Sequence, residues 1–122
     1  MKLEDTISKL NELKNSCSKQ NWDGYDALPI SNSSYLNTLR IINFLPNDLP
    51  TPELSVDSDG EVSLEWYVDK EKVFSVSIGT DSFNYAGLFD TGKVHGKEEI
   101  NSTGRLPEFM LGYVRNLYQL VN

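Results

Sequence analysis

Residues 60–79, GEVSLEWYVDKEKVFSVSIG, constrain the fold more than any other stretch. Val62, Leu64, Trp66 and Val68 alternate with Glu61, Ser63, Glu65 and Tyr67. Phe74, Val76 and Ile78 then alternate with Val73, Ser75 and Ser77. A period of two places each set on one face of a pleated strand, so the stretch predicts a hairpin of two half-buried strands. Directly opposed residues share a face. Pairing Trp66 with Phe74 and Leu64 with Val76 joins the two apolar sets, whereas a one-residue slip lays one set over the serines of the other strand. This register leaves an odd-numbered loop, of three residues if it is Asp69–Glu71. A three-residue loop needs a residue at positive φ.

A chain of 122 residues suits a single α+β domain spanning 1–122 with a real core. Its hydrophobic content of 39% and charged content of 24% fit a globular protein. No apolar run approaches the ~20 residues of a membrane span, and the charged start MKLEDTISKLNELK is unlike a secretory signal. With one cysteine, Cys17, no internal disulfide can form, which points to a reducing cytoplasm. Cys17 itself fits the apolar stripe of a helix better than the role of a reactive thiol.

The net charge of −7 is concentrated. Residues 51–104 carry eleven acids against four bases, whereas residues 1–50 carry six against five. The acidity therefore belongs to the expected sheet. It opposes nucleic-acid phosphates and suits a basic protein partner; the plainer account is that it keeps a sheet face and its turns solvated.

Along the chain, Leu3, Ile7, Leu10, Leu13 and Cys17 predict an amphipathic helix over 3–19. Residues 21–30, NWDGYDALPI, read as a turn at Asp23-Gly24 with apolar bulk in Trp22, Tyr25, Leu28 and Ile30. Such a loop seals a core edge or presents Trp22 and Tyr25 to a partner. Serines and asparagines at 31–34 offer N-caps for a helix over 33–44, with Tyr35, Leu36, Leu39, Ile42 and Leu45 as its apolar set. Pro46 must end it, and PNDLPTP is a stiff connector.

Glu53–Val56 predicts a first strand, and Asp57-Ser58-Asp59-Gly60 a turn with Gly60 at positive φ. DSDG is not an EF-hand loop, because the position that needs a bidentate Glu falls on Trp66. Phe83–Phe89 and Lys93–Ile100 continue the meander. His95 has no second His or Cys for a metal and no local nucleophile, so no metal, cofactor or catalytic set is expected. Pro107 opens a last helix with a wide apolar stripe, Phe109, Met110, Tyr113, Val114, Leu117, Leu120 and Val121. A stripe this wide is buried on more than one side, by the N-terminal helix or by a second copy in a homodimer through residues 107–121.

The order of elements predicts an α+β two-layer sandwich. An antiparallel meander of four to five strands carries the N-terminal helices and the C-terminal helix mainly on one face. The Glu61, Ser63, Glu65 and Tyr67 face is left to water or a partner.

Several runs resemble a widespread group of small bacterial proteins. They are N-W-D-G-Y-D-A-L-P-I, F-L-P, the D-G turn, V-S-L-E-W, V-F-S-V-S-I-G, Y-A-G and V-H-G. The resemblance covers residues 21–118 and brings no activity to transfer. It implies a bacterial or phage cytoplasmic origin, and it marks Trp22, Asp23, Gly24, Glu65 and Trp66 as functional or as a signature of the fold.

Two classes of function fit. One is a non-catalytic, acidic protein-interaction module: an adaptor, an antitoxin- or immunity-like protein, or an inhibitor of a defence system. Its partner-binding candidates are Trp22, Asp23, Tyr25, Glu65 and Tyr67. The alternative is a small-molecule binder or enzyme with a site near the 21–26 loop, in which a concave pocket gathers Asp23, Tyr25, Glu65 and His95.

Overall fold

The computed structural model describes residues 1–119. Helices α1 (Leu3–Ser16) and α2 (Asn32–Phe44) precede strands β1 (Glu53–Val56), β2 (Val62–Asp69), β3 (Lys72–Ile78), β4 (Ser82–Phe89) and β5 (Gly92–Glu99). Helix α3 (Glu108–Leu117) closes the fold. The strands form one antiparallel sheet in the order β1-β2-β3-β4-β5, and the helices pack on one face of it. Together they enclose a single apolar cluster centred on Trp66, Phe74, Val76 and Ile78, with Leu10, Ile42 and Met110 from the helices. The α+β sandwich with a five-stranded meander follows from the order of elements.

The central hairpin has the expected register: Leu64 opposes Val76 and Trp66 opposes Phe74. The expected loop differs. Tyr67 still opposes Val73, but Asp69 opposes Lys72, so Val68 is an extra residue in β2. A bulge at Val68 supplies the odd residue, and a two-residue turn then suffices. The backbone amide of Glu71 donates to Asp69 Oδ1 at 2.8 Å, and no residue from Asp69 to Lys72 has positive φ.

Helix α1 stops at Ser16 rather than 19 because its end is claimed from outside. Cys17 is buried, and its carbonyl accepts from the Ile30 amide at 2.8 Å. In α2, Ser31 caps the Ser34 amide, as the run at 31–34 suggests. Its buried face is Ser34, Thr38, Ile41 and Ile42. Leu36, assigned to that face from spacing, is 48% exposed. The face is rotated toward Ser34 by a polar contact: Ser34 Oγ donates to the Ile78 carbonyl and accepts from the Val62 amide at 2.8 Å. Val62 and Ile78 are a cross-strand pair, so one hydroxyl ties α2 to β2 and β3 together.

Gly60 adopts φ +88, as the turn requires. It is also pressed against the preceding segment, where a Cβ would collide with the Pro29 carbonyl oxygen. The Leu28 amide donates to Ser58 and the Ser31 amide to Gly60, each at 2.8 Å. The 21–31 segment therefore docks on the β1–β2 turn.

Helix α3 buries Met110, Leu111, Val114 and Leu117 within its own chain. Arg115 pairs with Asp48 at 3.4 Å, and Arg105 lies 4.8 Å over the Phe44 ring. These contacts place α3 beside the end of α2 and the proline connector. Of the 107–121 segment, Phe109 is left 40% exposed, while Leu120 and Val121 lie outside the described residues.

Candidate functional site

Two surfaces carry the candidate residues. The first is the 21–28 loop, which is locked by its own side chains. Asn21, Gly24 and Asp26 all have positive φ, a conformation that costs a non-glycine residue energy unless its surroundings hold it. Asp23 Oδ1 accepts from the amides of Tyr25 at 2.8 Å and Ala27 at 3.1 Å. Asn21 Oδ1 accepts from the Asp26 amide at 2.6 Å. Trp22 Nε1 donates to the Leu28 carbonyl at 2.7 Å, and its ring packs against the core. Asp23 and Trp22 thus build the loop. Tyr25, 89% exposed, is what the loop presents, with half-exposed Leu28 beside it.

The second surface is the sheet face turned away from the helices. One row across it reads Glu53, Glu65, Ser75, Ala86, His95. The next row toward the β2–β3 turn reads Tyr67, Val73, Leu88, Lys93. The next row the other way is Ser55, Ser63, Ser77, Asn84, Lys97. Glu65 is half-buried and Tyr67 is 54% exposed. The acids of the face lie mainly on the β1–β2 side, with Glu99 at the far end of β5. Because β5 puts Lys93 and Lys97 on the same face, on either side of His95, the cations of the face lie on the opposite side from Glu53 and Glu65, and the face is bipolar rather than uniformly acidic.

The candidates do not converge. The loop docks at the Gly60 end of β2, and Tyr67 lies beyond Val62 along that strand by ~17 Å at ~3.4 Å per residue. Glu65 and His95 share a row, yet three strand spacings put their backbones ~14 Å apart. That is far outside hydrogen-bond reach, so they are not an acid–base pair. An open depression of about 550 Å³ lies elsewhere, between α2, the β3–β4 turn and the β5–α3 loop. Arg40 on its wall is occupied by the Ser102 carbonyl at 2.9 Å. Among the described residues, no group of three or more His, Cys, Asp or Glu side chains is placed to hold a metal ion.

A polar cluster that the sequence reading missed sits at the Gly60 end of the open face. Ser63 Oγ donates to Asp57 Oδ2 at 2.7 Å, Ser77 Oγ does so at 3.2 Å, and the two hydroxyls are 2.8 Å apart. Glu61 is close by, against Gly79. Burial pushes its carboxyl pKa up, Asp59 and Asp57 add to the rise, and Lys97 opposes it. With no imidazole within the cluster, the serines have no general base of suitable strength, and the arrangement braces the β1–β2 turn.

No family model matches the chain, and neither the curated proteins nor the solved structures contain a significant match to it.

Proposed function

We propose that the protein is a non-catalytic interaction module of bacterial or phage origin, acting in the cytoplasm on another protein. An adaptor, an antitoxin- or immunity-like protein and a defence-system inhibitor all fit this description. The observation that carries the reading is the 21–28 loop. Its backbone is held by Asn21, Asp23 and Trp22, while Tyr25 stands almost fully exposed. A rigid loop that presents an aromatic side chain loses little conformational entropy on binding. The separation of Glu65 from His95 weighs against the enzymatic alternative. Partner candidates on the sheet are Glu65 and Tyr67, and the net charge of −7 weighs against nucleic acid. A second copy meeting the 107–121 segment would use Phe109, since the rest of the described α3 stripe faces its own core.

Tyr25→Ala tests the loop without touching its scaffold. Affinity capture from a bacterial lysate with the parent chain should enrich a defined set of proteins that the variant loses, with the melting temperature unchanged. Capture of the same set by both chains would remove Tyr25 as the anchor and the loop as the site.

A further inference from the structure

The open sheet face is complementary to itself. Five strands place β3 at the centre, with Glu53 and Glu65 on the β1–β2 side and Lys93, His95 and Lys97 on β5. Consider two copies stacked by their open faces, ~10 Å apart, with strands aligned as in a sandwich. A two-fold axis running along the strands lays β1 of one copy over β5 of the other, and β3 over β3. Rows are preserved, so Glu53 of one copy falls in line with His95 of the other, with Lys93 and Lys97 one row to either side. Val73 meets Val73, and Tyr67 meets Leu88. A two-fold axis across the strands would instead stack β1 on β1, with the acidic sides opposed. Only the first operator joins both the opposite charges and the apolar row.

We infer that this face is the contact of a two-fold homodimer in which Glu53 of each copy faces the β5 lysines of the other, while Glu65, one strand further in, lies over Ala86 of β4. Four strand spacings by the length of the strands give roughly 450–500 Å² per copy, near the lower bound of ~1,000 Å² total for a specific interface. The dimer is therefore weak and salt-sensitive. Glu99, at the end of β5, falls over the Asp57 end of the second copy and limits the attraction at that rim. The 21–28 loop lies outside this contact, so the dimer and the loop's role stand or fall separately.

Sedimentation equilibrium over a hundredfold concentration range tests it. The parent chain should move from monomer toward dimer mass, and added salt should shift it back. Glu53→Lys with Glu65→Lys should raise the dissociation constant roughly tenfold or more, and Lys93→Glu with Lys97→Glu should do the same. Each reversed chain repels its own copies on both sides. Mixed in equal amounts they are complementary on both sides, so a heterodimer should appear that neither forms alone. Matched circular dichroism melts establish that both reversed chains are folded. Monomer mass for the parent at every concentration overturns the inference. So does a dimer that survives both reversals, which would locate the contact elsewhere, at Phe109 for example. Failure of the mixture to form the heterodimer also overturns it.

Discussion

The two faces of the sheet are built from the same strands and could hardly differ more. On the helix side Leu64, Trp66, Phe74 and Val76 are fully buried. One residue away on each strand, Glu65, Tyr67 and Ser75 lie on the open side, half-buried or exposed. The backbone supplies the same ladder to both faces, so the difference is entirely one of side chains. It sorts them by work: one face contributes most of the stability, and the other is left to set what the surface meets. A large residue on the helix side is therefore held by many neighbours, and a charged residue on the open side by few.

Trp66 against Glu65 is the sharpest way to break that contrast. Trp66 is fully buried, and its Nε1 donates to the Pro50 carbonyl at 2.8 Å, which anchors the proline connector. Trp66→Ala should cost ~3–5 kcal/mol through lost burial and a cavity. Glu65→Ala should stay within ~0.5 kcal/mol. Urea melts of both variants check this, and comparable losses would show that the open face is held as tightly as the buried one.

Ser34→Ala is a smaller disturbance on the helix side. It removes no bulk but strands the Val62 amide and the Ile78 carbonyl at the buried end of the sheet. The expected cost is ~1–3 kcal/mol, the desolvation penalty of unpaired polar groups, and faster hydrogen exchange at Val62 should accompany it. Unchanged exchange would mean that the strand pair holds without the hydroxyl.

Glu61 gives the smallest effect, and its size depends on pH. Its carboxyl pKa is raised in the folded state, chiefly by burial and then by Asp59 and Asp57. The folded state thus favours the protonated form. That contribution is fully present below the ordinary carboxyl pKa and is lost as pH rises through the raised one. Glu61→Gln should therefore raise the melting temperature slightly at neutral pH, and the gain should vanish in acid. A gain that persists unchanged in acid would assign it to something other than the charge.

The sequence by itself determined the helix–sheet order, the register of the central hairpin and the inward set of each strand. The reason is that period-two and helical spacings are local, and burial of one face penalises every slip. It also determined the turn at Gly60, since DSDG between two strand patterns leaves few alternatives. What the tertiary structure alone decided depends on neighbours remote in the chain. The bulge at Val68 replaced a left-handed loop residue because it restores parity equally well, and no residue type announces it. The 21–30 loop became a scaffold for Tyr25 because Asp23 and Trp22 found backbone partners within it, whereas their spacing is equally consistent with exposed binding groups. How charge is distributed over the open face depends on the fold for a similar reason. Counting acids over 51–104 averages the sheet, whereas β5 carries Lys93, His95 and Lys97 at alternate positions onto the face of Glu53 and Glu65. A net charge is a sum over the chain, and a surface is a sum over whatever the fold places side by side.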